Sequence, residues 1–408
     1  MSHPYTSLLL IPTGIGARIG GFAGDALPVA RTLAAAAERV ITHPNVLNGA
    51  SLFWPMGNVL YVEGYGLDQF CAGVWNLRPV RQNCVGVVLD AGIPPDLQQR
   101  HLQVMQAAQA TLGLNIGPWR LTRQPLGVSV GFSPSGASQG SLARPDALLE
   151  TAQELVRLGA EAIAVVARFP DDLDFSQYEQ GMGVDPLAGV EALISHLVVR
   201  ELRIPCAHAP AFYPETFPKP VHPRAAAEEV GFTFLPSVLV GLSYAPQFVK
   251  SGDPVQPGDL TAEQVDSVIA PATAFGGPGL LHLASRYCGA TLSRPHHNAP
   301  PLTRTDGVLA RPPLFIAVEE NTTVMQVHPR QLGIPHVSVT SYLEAIGVVV
   351  AHRAGVAWSS LRLSPSPPEK LGSHTCAVIA TRRCCVRDSG AEHNSGTESF
   401  RDSGTESQ

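Results

Sequence analysis

The alternation of short apolar runs with helical segments constrains this chain more than any other feature. Residues 7–12 form an apolar, strand-like run, and residues 26–40 have a helical composition. Residues 83–90 have the pattern of a buried strand, and residues 96–112 that of a helix. Strands separated by helices usually pair in parallel with helices on both faces, so we predict a mostly parallel sheet.

The same alternation continues through the second half. Helices are expected at residues 145–158, 188–200 and 341–355, and strands at 127–132, 161–166, after 203, and at 314–319. The predicted class is α/β, with two Rossmann-like lobes that have mostly parallel sheets and flanking helices. We expect an N-terminal lobe at residues 1–140 and a C-terminal lobe at residues 141–363.

Two regions do not follow this pattern. Residues 285–313 are polar and rich in proline, which is typical of a long loop. Residues 364–408 contain near-copies of Arg-Asp-Ser-Gly-Thr-Glu-Ser and few apolar side chains. Such a tail cannot offset its ordering entropy, so we predict that it is disordered and that truncation after Leu363 leaves the thermal midpoint unchanged.

Composition excludes several classes of protein. The net charge is -6, and no long basic block occurs in the first 360 residues, so no nucleic-acid partner is expected. We identify no secretory signal and no apolar run of about 18 residues, which predicts a cytoplasmic protein without a membrane partner. The seven cysteines have no C-x-x-C spacing, which indicates reduced thiols rather than a metal site.

Five longer stretches carry a family resemblance. They are IPTGIGARIGGFAGDALP at 11–28, ITHPNVLNGASLFWP at 41–55, YVEGYGLDQF at 61–70, GVEALISHLVVRELRIPCAHAPAF at 189–212 and VEENTTVMQV at 318–327. Together they resemble a family of cyanobacteria and plastid-bearing lineages known as domain of unknown function 3326. The resemblance covers nearly all of residues 5–361. It implies a photosynthetic source, and the plastid stroma as the location in a eukaryote, but no activity and no cofactor.

The glycine-rich segment after the first strand is the sharpest local signal. We identify Thr13, Gly14, Gly16, Gly20 and Gly21 as candidate ligand-binding residues, because backbone N–H groups in such a turn can hold a phosphate or carboxylate. The spacing is not G-x-G-x-x-G, so a dinucleotide fingerprint is absent. The alternative is a turn that needs glycine only for its conformation.

Two further segments supply candidate ligand-binding residues. Gly276 and Gly277 form a second glycine turn before a helical stretch at residues 280–286. The polar segment at residues 42–48 includes His43 as a candidate catalytic residue, and Asn45 and Asn48 as ligand-binding residues. For this segment the alternative is a network of Asx turns that bonds its own backbone.

The remaining candidates lie at predicted strand ends. His208 is a candidate catalytic residue, because ligands of open α/β sheets bind at the carboxyl ends of the strands. Glu319 is a candidate general base, and Asn321 a ligand-binding residue, with helix capping as the alternative. Cys206 is either a buried, inert thiol, a reactive one beside His208, or part of a metal site with His196 or His296.

These residues predict an enzyme that acts on a small anionic metabolite, a carboxylate or a phosphate, in a cleft between the two lobes. The alternative is a non-catalytic ligand-binding or assembly protein of photosynthetic cells. No metal or cofactor can be named, and a homo-oligomer is possible. A dinucleotide-dependent oxidoreductase lacks its fingerprint.

Overall fold

Two parallel sheets organise the chain in the computed structural model, which describes residues 4–22, 24–47, 54–213, 221–225, 234–287 and 311–363. The strands are β1 (Thr6–Leu9), β2 (Arg39–Thr42), β3 (Val59–Tyr61), β4 (Trp75–Arg78), β5 (Val85–Leu89), β6 (Ile116–Leu121), β7 (Val128–Phe132), β8 (Ser138–Leu142), β9 (Ala162–Arg168), β10 (Cys206–Ala211), β11 (Gln247–Lys250), β12 (Val265–Pro271), β13 (Leu314–Val318) and β14 (Val337–Val339). The α-helices are α1 (Leu27–Ala36), α2 (Pro44–Leu47), α3 (Gly64–Cys71), α4 (Pro95–Leu112), α5 (Pro145–Arg157), α6 (Ser176–Glu179), α7 (Ala188–Leu202), α8 (Leu235–Ser243), α9 (Pro278–Tyr287) and α10 (Tyr342–Arg353).

The larger sheet has six strands in the order β14-β13-β12-β1-β2-β3, and every neighbouring pair is parallel. The smaller sheet has four parallel strands in the order β10-β9-β5-β6. Two antiparallel pairs, β4 with β11 and β7 with β8, lie outside these sheets. The predicted α/β class with mostly parallel, Rossmann-like sheets is confirmed.

The sheets do not divide the chain at residue 140. The six-stranded sheet takes β1 to β3 from the start of the chain and β12 to β14 from its end, whereas the four-stranded sheet lies between them in sequence. Residue 140 falls inside β8, which is hydrogen-bonded to β7. Local periodicity indicates where strands occur, but it does not show which strands become neighbours. The sequence therefore contains no pattern that marks a boundary between the two sheets.

Alternation along the central strands builds two apolar clusters, one on each face of the sheets. In β1, Leu9 belongs to one cluster and Leu8 to the other, and in β9 Ala164 and Val165 divide in the same way. Successive side chains of a strand point to opposite faces, so a strand that is apolar throughout is covered on both. Each cluster contains residues of both sheets, and the core is therefore continuous between them.

One helix end and one strand pairing differ clearly from the sequence-based expectation. The helix expected at residues 26–40 ends at Ala36, and Arg39 already begins β2. Alanine-rich composition hid this change, because alanine favours helix but does not exclude a following strand. The strand expected at residues 127–132 is β7 of an antiparallel hairpin. Asn48, most of the polar loop at 285–313 and the tail at 364–408 lie outside the described residues.

Candidate functional site

A cavity of about 310 Å³ lies where several strands end at their carboxyl termini. Its walls come from the segments after β1, β2, β3 and β12, from β10, and from one face of α7. This is the position at which open α/β sheets bind ligands. The polar side chains among the lining residues are Thr13, His43, Asn45, Glu63, Asp68, Asp185, Glu191, Ser195, His196 and His208.

His208 projects from β10 and is held by two residues of α7. Its Nδ1 lies 2.6 Å from the hydroxyl of Ser195, and its Nε2 lies 3.5 Å from the carboxylate of Glu191. Ser195 and Glu191 are one turn apart on α7, so a single helical face fixes both ring nitrogens. Ser195 is buried in mid-helix. It therefore serves to position the ring.

A second histidine–carboxylate pair, His196 with Glu63, lies beside the first on the face of α7 that lines the cavity. Nδ1 of His196 lies 2.5 Å from Oε1 of Glu63, which is the N-cap residue of α3. The other oxygen of Glu63 accepts the backbone N–H groups of Tyr65 and Gly66 at 2.8 and 3.2 Å. A Cβ at Gly64 would lie 2.9 Å from the imidazole of His196, so glycine permits this close approach.

The environment of this pair shifts the pKa values of its members in a defined direction. Burial alone would lower the pKa of His196, but the contact with Glu63 and the negative charges of Glu63 and Asp68 raise it above its ordinary value. Burial raises the pKa of Asp68 to about 6, although His196 and the backbone N–H of Gly279 oppose that shift. An imidazole with a raised pKa and a carboxyl group with a pKa of about 6 thus lie side by side.

Carboxylates of the protein occupy three of the helix N-termini that face the cavity. Glu63 caps α3, Asp68 accepts the N–H of Gly279 in the first turn of α9, and Asp185 accepts the N–H of Leu187 at 2.8 Å, directly before α7. A helix N-terminus attracts anions through its free N–H groups and dipole, and these carboxylates already satisfy that attraction. No lysine or arginine lines the cavity in the part of the chain that the structure describes.

His43 lies in the cavity wall but in a form unsuited to proton transfer. Burial lowers its pKa to about 4, and its Nε2 accepts the backbone N–H of Ile11 at 3.0 Å. The ring is therefore neutral at physiological pH and carries its proton on Nδ1. The structure places His43 at the site, as expected from the sequence, but as a fixed hydrogen-bonding residue.

The glycine-rich turn is bonded to the protein rather than open to a ligand over most of its length. The N–H of Gly20 donates to Asp25 at 2.5 Å, and the amide of Asn45 donates to the carbonyl groups of Gly20 and Ile11 at 2.6 and 2.9 Å. Asn321 is fully buried, and it bonds both backbone polar groups of Ile19. The conformational explanation of this turn therefore holds for Gly20, and the role of Asn321 is to fix the turn.

The structure brings together only part of the predicted site. His208, His43, Thr13, Asn45 and Gly277 line the cavity. Glu319 does not line the cavity. It is exposed directly after β13, a strand that contributes no residue to the cavity. Burial lowers the pKa of His336, and the negative charge of Glu319 opposes that shift. The predicted ligand-binding residues that also lie outside the cavity lining are Gly14, Gly16, Gly20, Gly21, Gly276 and Asn321. Asn48 lies outside the described residues.

Sequence reasoning did not identify Glu63, Asp68 or Glu191 as site residues, and it considered His196 only as a metal ligand beside Cys206 and His208. The i,i+4 spacing of Glu191 and Ser195 was visible, but nothing in the sequence linked it to His208. Glu63 directly precedes a glycine after an apolar run, which is the pattern of a polar residue at a strand end. Cys206, in contrast, is buried, and burial raises the pKa of its thiol, so the inert alternative is supported.

Neither a metal-binding cluster nor a membrane-spanning helix is found among the residues that the structure describes. No group of three or more His, Cys, Asp or Glu side chains in these ranges is arranged to hold a metal ion. No helix in them is long and apolar enough to cross a membrane.

The fold and the cavity define an α/β protein of two parallel sheets with a histidine- and carboxylate-lined cleft. Over residues 6–362 the chain belongs to the family described as Protein of unknown function (DUF3326). A relative from Synechococcus sp., named "Uncharacterized lipoprotein", is 49% identical over 359 residues, which cover 87% of this chain and 93% of the relative. No solved structure shows a significant match. The family resemblance seen in the sequence is confirmed, and the relative is cyanobacterial.

Proposed function

We propose that this chain is an enzyme that transfers protons on a small polar metabolite in the cleft. The observation that carries the proposal is the pair of histidine–carboxylate contacts, His208 with Glu191 and His196 with Glu63, on one wall of one cavity. A histidine held by a carboxylate is a common general acid or base. In this proposal His208 exchanges the substrate proton, with Glu191 and Ser195 orienting its ring.

The charge of the cavity favours a substrate with amino or hydroxyl groups. Four carboxylates line the walls, and three of them already occupy the N-termini of α3, α7 and α9. A carboxylate or phosphate would meet this negative field without a lysine or arginine in the cavity lining to pair with. An ammonium or hydroxyl group would instead donate hydrogen bonds to the carboxylates. We therefore replace the anionic substrate expected from the glycine turns with a cationic or hydroxyl-rich one.

The test compares turnover of a metabolite extract by the unmodified protein and by two variants. The extract of a cyanobacterial culture is incubated with the full chain, with His208→Gln and with Glu191→Gln, and analysed by mass spectrometry for metabolites that disappear and products that form. We expect turnover by the unmodified protein only. His101→Gln, on α4 and outside the cavity lining, is the matched control and should keep full turnover.

Two results would contradict the proposal. Full turnover by His208→Gln would exclude the acid–base role. Enrichment of one metabolite on the protein without any product would support the non-catalytic ligand-binding alternative. Thermal unfolding of each variant separates a chemical loss from a folding defect, since removal of the partly buried His208 leaves Ser195 without its partner.

Location in the cytoplasm stays a prediction from the sequence. The word lipoprotein belongs to the name of the Synechococcus relative. Fractionation of cells that express the full chain tests the prediction, and recovery in the membrane fraction after a salt wash would contradict it.

A further inference from the structure

A second cavity, of about 610 Å³, lies beside the first and shares two of its walls. Thr13 lines the first cavity, and Gly16 lines the second. Asp185 likewise lines the first, and its neighbour Val184 the second. The glycine turn and the segment before α7 therefore separate two distinct cavities.

The second cavity has the opposite charge. Arg18 and Arg224 supply positively charged groups to its lining, and no aspartate or glutamate of the described ranges lines it. Arg224 donates through Nη1 to Asp25 and to the carbonyl oxygen of Arg18, both at 2.7 Å. These bonds use only one edge of the guanidinium. The side chain of Arg18 is exposed and has no ion-pair partner among the described residues.

The backbone around this cavity adds hydrogen-bond donors to the positive charge. Gly16 and Gly183 line it with positive φ angles of 64° and 81°, whereas the N–H of Gly181, which also has a positive φ angle, donates to the carbonyl oxygen of Tyr178 at 2.8 Å. Left-handed residues in a turn can direct successive N–H groups to one side, which forms an anion-binding concavity. Within the described part of the chain, the N–H groups of Gly16 and Arg18 donate to no acceptor.

We infer that the second cavity binds a small anion, a carboxylate or a phosphate group, between Arg18 and Arg224. A guanidinium presents several N–H donors in a plane, which suits the oxygens of either group. The glycine turn thus serves two purposes in its two parts. Its Gly20 end is bonded to the protein, whereas its Gly16 end offers donors to the second cavity. The inference does not require the proposed enzyme activity.

Isothermal titration calorimetry of the full chain with inorganic phosphate tests this site. Sodium chloride keeps the ionic strength constant, which removes general screening effects. We expect saturable binding to one site in the unmodified protein. Arg18→Gln should weaken it about tenfold or more, which corresponds to about 1.4 kcal/mol. Arg224→Gln should weaken it as well, and Arg18→Lys should keep part of the affinity because it keeps the charge.

Two control variants locate the binding. Arg157→Gln removes an exposed arginine of α5 and should leave the affinity unchanged. Glu191→Gln alters the first cavity and should also leave it unchanged.

Three outcomes would overturn the inference. They are absence of saturable binding up to about 10 mM phosphate, equal binding by Arg18→Gln and the unmodified protein, and loss of binding in Glu191→Gln alone. Because Arg224→Gln breaks the ion pair with Asp25, its folding is checked by thermal unfolding, and Arg18→Gln carries the test if that variant is unstable.

Discussion

One oxygen of Glu63 lies 2.5 Å from Nδ1 of His196, and the other accepts the N–H of Tyr65 at 2.8 Å. A single carboxylate thus begins helix α3 and raises the pKa of a histidine in the cavity. The protonation of the site and the stability of this helix are therefore coupled through one side chain.

Glu63→Gln is expected to lower the pKa of His196 and to reduce stability in a pH-dependent way. The folded-state pKa of His196 is raised, so its contribution is complete below the unfolded pKa and is lost as the pH rises through the folded pKa. The loss in unfolding free energy relative to the unmodified protein should be larger at about pH 5.5 than at about pH 9. NMR titration of His196 and urea unfolding at both pH values measure these effects. Equal losses would contradict the coupling, and Glu150→Gln is an exposed control.

Asp68→Asn is expected to stabilise the protein at neutral pH. Burial raises the folded-state pKa of Asp68 to about 6, above the ordinary value of 3.8, so the unmodified protein loses stability as the pH rises through this interval. Because asparagine cannot ionise, the unfolding free energy of the Asp68→Asn protein should change less between about pH 4 and pH 7 than that of the unmodified protein. Urea unfolding across that range gives the comparison, with the exposed Asp172→Asn as the control. If Asp68→Asn is less stable than the unmodified protein at pH 7, the hydrogen bond from the N–H of Gly279 to the charged carboxylate stabilises the protein more than burial of that charge destabilises it.

Cys206→Ser is expected to cost about 1–3 kcal/mol of stability, because it places a hydroxyl in apolar surroundings. Cys206 is 1% exposed, at the start of β10. Cys84→Ser is the matched control, since Cys84 is only partly buried and should tolerate the change better. Chemical unfolding compares the two. A Cys206→Ser protein that is fully stable but inactive in the metabolite assay would instead identify the thiol as a reactive group.

Gly20→Ala is expected to destabilise the protein more than Gly113→Ala. Both glycines have positive φ angles, 83° and 67°, where a side chain costs about 1–2 kcal/mol. A Cβ at Gly20 would also lie 2.6 Å from the side chain of Ile11, whereas one at Gly113 would meet no atom within 4 Å. The difference between the two losses in unfolding free energy measures the packing of the glycine turn. Equal losses would show that Ile11 moves aside without cost.

The sequence predicted the elements of the fold better than their arrangement. Apolar runs such as β5 and β9 are buried on both faces, and that pattern is readable in a short window. The order of the strands cannot be read in such a window, because β1 pairs with β12, which is far away in the sequence. The division into lobes at residue 140 therefore stays a prediction.

The candidate site was predictable where one strand end was enough to indicate it. His208 and His43 follow this rule, and both line the cavity. Glu319 also lies at a strand end, but β13 contributes nothing to the cavity. His196 and Glu63 could not be paired from sequence, because their contact depends on how α7 packs against α3. Their pKa shifts arise from burial and neighbours that exist only after folding.

The interleaved strand order has a consequence for the synthesis of the chain on the ribosome. The four-stranded sheet is complete once residue 211 has been made, whereas β1 must wait for β12 before its second edge is paired. Until then the apolar strands β1 to β3 have an unpaired edge, which is prone to aggregation. We expect nascent chains that stop between β10 and β12 to bind chaperones, and release to follow the emergence of residue 271, the end of β12.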